Sequence, residues 1–205
     1  METNNAYKIY QKIAELFPNA HCELDFNNPF EMLIATVLSA QATDISVNKV
    51  TPVLFGKYHD AYALSKADEE DVTKIIKSVG LAKTKAHNTI ALARELVDKY
   101  HGEVVPSYDV LISLPGVGRK TANVVLAEAF DIPRIGVDTH VSRVARKLGL
   151  SSSKDVIKIE EDLMGLFPKK MWKDVHLKLL FFGRYFCKSK NPKCEECPFR
   201  DICQK

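Results

Sequence analysis

Three features that would narrow the function at once are missing from this chain of 205 residues: a long apolar run, a low-complexity segment and a large surplus of one charge. Without about 20 consecutive apolar residues, a membrane-spanning helix is excluded. Lysine and arginine outnumber aspartate and glutamate only 29 to 26, so the total charge does not predict a nucleic-acid partner. Attraction to phosphate would have to come from where the basic residues lie.

Nothing at the start of this sequence resembles a secretion signal. The first five residues, Met1 to Asn5, are polar, carry no positive run and are not followed by a long apolar segment. With 46% hydrophobic and 27% charged residues, the composition is that of an ordinary soluble globular protein. We therefore expect a reducing, cytoplasmic location, associated with the nucleoid if the source is bacterial, where structural disulfides are rare.

Four of the five cysteines lie within the last 19 residues. Cys187, Cys194, Cys197 and Cys203 are separated by six, two and five residues, close enough to converge on one metal centre. A disulfide framework would spread its bridges more widely, and structural zinc sites usually present two short-spaced pairs where this segment has one. The spacing favours a [4Fe-4S] cluster, with zinc as the alternative. Cys22 is predicted to be a partly buried core thiol.

A basic loop lies between the first two of these cysteines. Its sequence, KSKNPK, places Lys188, Lys190 and Lys193 on a tether with metal ligands at both ends and without obvious acidic partners. Lysines held in this way predict contacts with DNA phosphates, which depend on local positive charge. A solvated surface loop would have the same composition, and both interpretations stay open at this point.

The dominant period along the chain is helical, with no convincing alternating strand, so we predict an all-α protein. Asp44 is expected to cap the helix that follows it. In another helix the inward face is expected to contain Ala86, Ile90, Ala93 and Val97. The predicted helices are 6–16, 29–38, one from about 44, 60–65, 69–78, 84–100, 108–114, 119–130, 139–148, 155–167 and 170–186.

The segment LPGVGRKT, at 114–121, predicts a tight turn between two helices, because Gly116 and Gly118 allow backbone conformations closed to other residues. The amides of the turn, including those of Val117 and Arg119, are expected to point outward at the start of the next helix. With the helix dipole they would form an anion site for a DNA phosphate, a contact that positions a protein without reading sequence. The alternative is an ordinary corner between helices.

Lys120 lies in the first turn of the helix after this hairpin, where the helix dipole disfavours a positive charge. With partial burial, that position favours a neutral amine, a nucleophile able to form a Schiff base with a sugar carbon. Asp138 is its expected partner, since a helix and a return loop would lead the chain back over the intervening residues. The alternatives are a phosphate-contacting or solvated lysine and a helix N-cap aspartate.

Several segments together resemble the endonuclease III family, the DNA glycosylases and abasic lyases of the helix-hairpin-helix superfamily. The main ones are LPGVGRKTA at 114–122, VDTHV at 137–141 and the C-x6-C-x2-C-x5-C terminus. LSAQATD at 38–44 and VGL at 79–81 are also similar to family segments. The likeness covers nearly the whole chain and agrees in the order and spacing of the motifs.

The resemblance implies a role for individual residues. Lys120 would be the nucleophile, and Asp138 the carboxylate that assists proton transfer and stabilises positive charge on the sugar. Gln41 and Leu81 match the residues that fill the gap left by a flipped base, and His140 would line the lesion pocket. By residue type alone, Gln41 would be a surface amide and Leu81 a core residue.

The resemblance also implies a partner, a reaction and an architecture. We expect a monomer that acts on double-stranded DNA containing oxidised pyrimidines or abasic sites. The flipped base is displaced when the lysine attacks C1′, and β-elimination through the resulting imine cuts the strand 3′ to the abasic site. The expected domains are a six-helix barrel with the helix-hairpin-helix motif at 22–132 and an iron–sulfur cluster domain at 1–21 and 133–205.

Two other functions share some of these features. Adenine glycosylases of the same superfamily have the hairpin, the aspartate and the cluster, but they carry a catalytic glutamate in the helix expected here from Met32 to Thr43, which contains no carboxylate. A non-catalytic DNA-binding module would not need the lysine with the aspartate. A simple electron carrier would not need so large a helical scaffold.

Overall fold

Helices make up all of the regular secondary structure in residues 3–204, the part of the chain that the computed structural model describes. The predicted all-α fold is therefore confirmed. Met1 and Glu2, in the polar start of the chain, and Lys205 lie outside the described residues. No helix within the described part is long and apolar enough to cross a membrane.

Eleven α-helices follow one another along residues 3–204. They are α1 (Thr3–Leu16), α2 (Pro29–Leu38), α3 (Asp44–Lys57), α4 (Ala61–Ser65), α5 (Glu69–Ile75), α6 (Ala82–Tyr100), α7 (Tyr108–Ser113), α8 (Arg119–Phe130), α9 (Thr139–Lys147), α10 (Val156–Leu166) and α11 (Trp172–Phe181). Two 3-10 turns, Lys77–Val79 and Lys169–Met171, and a π-helical turn, Phe182–Phe186, complete the set. The predicted helices at 69–78 and 170–186 are thus each divided into shorter segments.

Side-chain caps explain where many of these helices begin. A cap accepts a hydrogen bond from an N–H group in the first turn and stabilises a helix by about 1 kcal/mol relative to alanine. The predicted cap at Asp44 is wrong, because Thr43 Oγ1 accepts from Ser46 N at 3.2 Å and Asp44 is the first helical residue. The other capping side chains are Asn28, Asp60, Asp68, Asp138 and Asp155.

Residues 23–132 form one of two compact units. Its most deeply buried helix is α2, in which every residue from Phe30 to Leu38 is buried, as predicted for this apolar segment. Helix α2 packs against α8, and α6 packs against α4 and α5. The apolar helix α2 therefore packs against three longer helices, α3, α6 and α8.

Helix α6 is buried over a wider face than predicted. Ala86, Ile90 and Ala93 are buried as expected, whereas Val97 is half-buried and its neighbour Leu96 is fully buried. A second buried row of the helix consists of Lys85, Thr89, Leu92 and Leu96. Two rows are buried because both α4 and α5 pack onto this helix. A lysine therefore lies among core residues.

Residues 3–22 and 133–204 form the second unit. One apolar cluster joins α1, α9, α10 and α11. At the start of the π-helical turn, the buried ring of Phe182 is stacked on Phe186, with 5.2 Å between centroids, and packs edge-on against Phe199 at 5.4 Å. The half-buried Cys187 and Cys197 pack against the same cluster, so the core continues into the cysteine-rich end of the chain.

Polar contacts hold α1 against α11 in addition to its apolar face. Tyr10 Oη donates to Asp174 Oδ2 at 2.6 Å. The buried Lys178 donates from Nζ to the carbonyls of Phe17 and Pro18, at 2.8 and 2.9 Å. Burial and the bond to Asp174 raise the pKa of Tyr10 to about 12. The beginning and the end of the chain are thereby joined in one unit.

We expect Tyr10→Phe to lower the free energy of unfolding by about 2 kcal/mol, because the ring is kept and one hydrogen bond to a carboxylate is lost. The folded-state pKa of Tyr10 is raised, so its contribution is complete below the ordinary value of 10.0 and is lost as the pH rises towards about 12. Denaturant unfolding of both proteins across this range measures the difference. A difference that stays constant above pH 10.0 would contradict the assignment.

Candidate active site and metal centre

The turn between α7 and α8 is held by its backbone and by two buried side chains, Leu114 and Val117. Val117 N donates to Leu114 O at 3.1 Å, and the Val117 side chain is buried. Gly116 has φ +77°, in the region that favours glycine. A Cβ at Gly116 would lie 3.1 Å from Asn88 Cβ and 3.3 Å from Val37 Cγ1. The positive φ strains any other residue and the space for a Cβ is tight, so both favour glycine at this position.

Helix α8 begins at this turn without a side-chain cap. Gly118 is its N-cap, and the first turn holds no acidic residue. The bond from Ala122 N to Gly118 O, at 2.9 Å, opens the helix, so the N–H groups of Lys120 and Thr121 lie outside the helical ladder. With the positive end of the helix dipole, such groups favour an anion at the hairpin.

Two basic side chains stand at this helix start. Arg119 Nη1 donates to Tyr108 Oη at 3.2 Å, and the guanidinium carbon lies 5.7 Å from the Tyr108 ring centre. Arg119 is therefore a cation fixed on an aromatic ring. Lys120 follows it and is half-buried in the first turn. The hairpin thus combines a fixed positive charge, uncapped amides and one amine.

Two exposed side chains of the same unit lie at strained backbone positions. Gln41 has φ +55° and Leu81 has φ +49°, a conformation that costs a non-glycine residue about 1 kcal/mol or more. Leu81 is 59% exposed, so the expectation from residue type that it belongs to the core is wrong. Gln41 is exposed, as expected for a surface amide. A leucine held outward at a strained position suggests a function outside the core.

Asp138 is the N-cap of α9. Its Oδ1 accepts from His140 N at 2.9 Å and from Val141 N at 2.8 Å. Both bonds end on the same oxygen, so capping does not use Oδ2. Asp138 is half-buried in the unit at 3–22 and 133–204, whereas Lys120 belongs to the unit at 23–132.

Arg143, one turn after the start of α9, is a residue that the sequence analysis missed. Its Nε and Nη2 donate to the carbonyl of Cys187 at 3.1 and 2.9 Å, and Nη2 also donates to Gly183 O at 2.7 Å. Nη2 lies 3.3 Å from His140 Nδ1. One arginine therefore connects the helix capped by Asp138 to the first clustered cysteine. The two residues are 44 positions apart, so no local pattern could indicate the bond.

The other end of the cysteine segment is held by the same helix. Gln204 N donates to the carbonyl of Lys147, the last residue of α9, at 2.7 Å. Cys187 N donates to Phe182 O at 2.7 Å and closes the π-helical turn. Residues 187–204, which we call the cysteine loop, are therefore fastened to α9 at both ends.

Four thiols of the cysteine loop line one cavity of about 300 Å³. They belong to Cys187, Cys194, Cys197 and Cys203, and none forms a disulfide. Within residues 3–204, no three His, Cys, Asp or Glu side chains converge closely enough to hold a single ion. In a [4Fe-4S] cluster each of the four thiolates binds a different iron, so the ligands surround a space of this kind. The donor set and the cavity fit such a cluster.

The charges around the cavity also suit an iron–sulfur cluster. Burial raises the pKa of the Cys187 and Cys197 thiols, so iron must displace their protons when it binds. The cavity lining includes one carboxylate, Glu195, and three basic residues, Lys147, Lys193 and Arg200. Their positive charges favour the negative charge that four thiolates bring to the site.

The basic loop lies on the surface. Lys188, Lys190 and Lys193 are all exposed. The expectation that these lysines lack acidic partners is wrong for Lys193, whose Nζ lies 3.9 Å from Glu196 Oε2. The two side chains are 61% and 72% exposed, so this pair contributes well under about 1 kcal/mol. Lys193 can exchange this partner for a phosphate at little cost.

Residues 34–169 match the HhH-GPD superfamily of base excision DNA repair proteins, and residues 187–203 match the iron–sulfur binding domain of endonuclease III. The hairpin and the capping aspartate lie within the first range, and the four clustered cysteines lie within the second. Fold and site together define a helix-hairpin-helix DNA glycosylase of base excision repair that contains an iron–sulfur cluster.

Individual relatives match this chain along almost its full length. Endonuclease III of Bacillus subtilis is 47% identical over 94% of this chain and 89% of its own, and that of Escherichia coli K12 is 42% identical over 96% and 93%. A solved structure of a trapped endonuclease III–DNA covalent intermediate has a TM-score of 0.96 and 46% identity, and the match covers 100% of this chain and 96% of that one. The chain belongs to the endonuclease III family.

We expect the purified protein to be yellow-brown and to contain about four irons and four sulfides per chain. Cys197→Ser should release the cluster and disorder the cysteine loop, because the thiolate ligand is lost, while the helices of the unit at 23–132 stay folded. Cys22→Ser, at a half-buried thiol outside the cavity, is the matched control and should keep its iron. Metal and sulfide analysis with circular dichroism measures both; one zinc and no iron would reject the assignment.

Proposed function

We propose that this chain is a bifunctional DNA glycosylase and abasic lyase that removes oxidised pyrimidines. The observation that carries the proposal is Lys120 at the uncapped start of α8, directly after the hairpin. A nucleophilic amine beside a turn that favours phosphate can reach the sugar of a nucleotide whose backbone the turn holds. The likeness to a protein captured as a covalent intermediate with DNA supports this mechanism.

The chemistry requires one amine for both steps. Lys120 Nζ attacks C1′, the bond from C1′ to the base breaks, and its electron pair leaves with the base. Loss of a proton from the amine and opening of the sugar ring then give an imine between Nζ and C1′. The imine withdraws electrons, so removal of a C2′ proton expels the 3′ phosphate and cuts the strand.

Asp138 is proposed to stabilise positive charge on the sugar and to assist proton transfer. Bond breaking at C1′ develops positive charge, which a fixed carboxylate favours. The cap bonds to His140 and Val141 orient the carboxylate through Oδ1 and do not use Oδ2. One side chain thus combines a structural and a catalytic role. His140, at the same helix start, is proposed to line the lesion pocket.

We propose that the hairpin backbone at 116–119 holds one DNA phosphate while the damaged nucleotide is flipped out of the duplex. Flipping costs a few kcal/mol, less for a base that already stacks poorly, which gives part of the selectivity. Gln41 and Leu81 are proposed to fill the space that the base leaves. Their exposure at strained backbone positions supports this role, because inserted side chains replace some of the lost stacking.

The cluster is proposed to be a [4Fe-4S] centre that holds the cysteine loop in shape. Thiolate ligation of iron supplies cross-links between distant points of the loop. We further propose that residues 22–132 are the helix-hairpin-helix lobe, and that 1–21 and 133–205 are the cluster lobe. The compact units at 23–132 and at 3–22 with 133–204 support this division. The protein is proposed to act as a monomer on cytoplasmic DNA.

An adenine glycosylase is less well supported. Helix α2 ends at Leu38, and its one carboxylate is Glu31. Glu31 Oε2 accepts from Asn27 N at 2.7 Å and from Asn27 Nδ2 at 2.9 Å, so it fastens the start of the helix. The segment from Met32 to Thr43 offers no other carboxylate.

Lys120→Gln should bind damaged duplex nearly as well as wild type but lose strand cleavage by at least about a thousandfold, because the reach of the side chain is largely kept and the nucleophile is removed. Borohydride reduces a lysine imine to a stable covalent complex with DNA. Wild type should therefore be trapped on a thymine glycol duplex and the variant should not. Substantial trapping by the variant would reject Lys120 as the nucleophile.

Asp138→Asn is the companion variant in this experiment. Asparagine caps a helix about as well as aspartate, so the Tm should change little while cleavage falls by about a hundredfold. Thermal melting and single-turnover cleavage separate the two effects. Full activity of this variant would leave Asp138 with a capping role alone.

Replacing Lys188, Lys190 and Lys193 together with alanine should weaken binding to damaged and undamaged duplex alike. The slope of log affinity against log salt should flatten by about 0.9 for each phosphate contact that is lost. Cleavage of bound substrate should change little, and the iron content confirms an intact cluster. Alanines at Lys8, Lys154 and Lys158, exposed lysines elsewhere in the same unit, give a control with the same change in charge. Equal losses in both triple variants would leave the loop with no specific role.

A further inference from the structure

Lys85 is a buried lysine that the mechanism above does not use. It lies on α6 and is only 5% exposed. Burial lowers the pKa of Lys85, and within residues 3–204 no carboxylate pairs with it to offset that cost. The side chain bonds instead to the carbonyl of Val79, to which Nζ donates at 2.8 Å. An apolar residue would occupy this position in the core at a lower cost, so the amine needs a physical reason.

Lys85 holds both flanks of the turn that carries Leu81. Its backbone N donates to Leu81 O at 3.0 Å, and its Nζ donates to the carbonyl of Val79, two residues earlier. Val79 is 2% exposed and ends a 3-10 turn, so it is a fixed anchor. Gly80 and Leu81 lie between the two bonds. One residue therefore fixes the backbone before and after Leu81.

Little else stabilises this turn. Gly80 has φ +66° and ψ 153°, and Leu81 follows with φ +49° and ψ 32°, so two consecutive residues have positive φ. Leu81 is the N-cap of α6, but its side chain forms no cap hydrogen bond. The exposed Leu81 side chain also has little packing to hold it. The backbone bond to Leu81 O would form with any residue at this position, so the specific contribution of Lys85 is the bond from Nζ to Val79 O. Without it, the strained backbone would relax towards conformations that direct Leu81 elsewhere.

We propose that Lys85 is a positioning residue that keeps Leu81 projecting outward, ready to enter the space left by a flipped base. The inference rests on the proposed insertion of Leu81. A side chain fixed in its bound conformation loses less freedom on binding, so more of its interaction with DNA remains to stabilise the flipped state. Lys85 acts through Leu81 and touches no reacting atom.

Lys85→Met tests the proposal, because methionine keeps most of the buried volume and removes the amine. The substrates are a thymine glycol in a fully paired duplex and the same lesion within a run of mismatched bases, where little stacking opposes flipping. We expect kcat/KM to fall about tenfold on the paired duplex and less than about twofold on the mismatched one. Equal losses on both substrates, or no loss, would overturn the proposal.

Lys178→Met is the matched control. Lys178 is also 5% exposed and its amine also donates to backbone carbonyls, but it holds α1 in the other unit and has Asp174 Oδ1 at 3.7 Å in addition. It should lower the Tm and leave the ratio of kcat/KM between the two substrates unchanged. If Lys178→Met changes this ratio as much as Lys85→Met does, the ratio reports a general loss of stability. That result would overturn the proposal.

Gly80→Ala perturbs the same turn without touching the core. An added Cβ meets nothing within 4 Å, but alanine is strained at φ +66°. The variant should lower the ratio of kcat/KM on the paired duplex to kcat/KM on the mismatched duplex, as Lys85→Met does. An unchanged ratio with a normal Tm would show that the geometry of the turn does not matter, against the proposal.

Leu81→Ala separates a failure of this inference from a failure of the proposed function. If Leu81 inserts, its removal lowers the ratio, and adding Lys85→Met to Leu81→Ala should lower it no further. A Leu81→Ala variant with an unchanged ratio rejects insertion itself, and with it the role of Lys85. A lowered ratio in Leu81→Ala beside an unchanged one in Lys85→Met rejects only the positioning role.

Discussion

The proposed site depends on helix starts that no side chain caps. In the unit at 23–132, four helices have ten or more residues; α2 and α3 are capped by Asn28 and Thr43, whereas α6 and α8 are not capped by a side chain. A cap would stabilise each start by about 1 kcal/mol, but it would also occupy the N–H groups that a phosphate could use. Each uncapped start is held in another way: Val117 is buried behind the hairpin, and Lys85 bonds to the carbonyls around Leu81.

In the second unit, by contrast, a side chain caps the helix start that belongs to the proposed site. Helix α9 is capped, and its cap is the proposed catalytic carboxylate. The two bonds to Oδ1 fix the orientation of Asp138, so helix stability and active-site geometry depend on the same contacts. Arg143 adds a connection from this helix to the carbonyl of Cys187. A change that loosens the cysteine loop would therefore also reach the helix that carries Asp138.

Local patterns in the sequence predicted much of this structure. Helical periodicity predicted the all-α fold. The spacing of the four cysteines predicted that they share one site, and their thiols line one cavity. The errors arose where backbone conformation or distant partners override residue type. Leu81 has an apolar side chain of the kind found in cores, but it lies at a position of positive φ and is exposed. The burial of Lys85 could have been suspected, because it is in helical register with Thr89, Leu92 and Leu96. The bond from Arg143 to Cys187 spans 44 residues and has no local trace.

The two ends of the cysteine loop are held by one helix, by Arg143 at Cys187 and by the Lys147 carbonyl at Gln204. Both anchors are protein–protein hydrogen bonds, and neither requires metal. The entropic cost of bringing the two ends of this loop together is therefore offset when the helical unit folds, before iron binds. With both ends anchored, the thiols of a cluster-free chain cannot separate far even where the loop between the anchors is disordered, which makes assembly of the cluster an intramolecular step. Maturation can follow folding, and a cluster lost to oxidation can be rebuilt on a chain that has kept its helices.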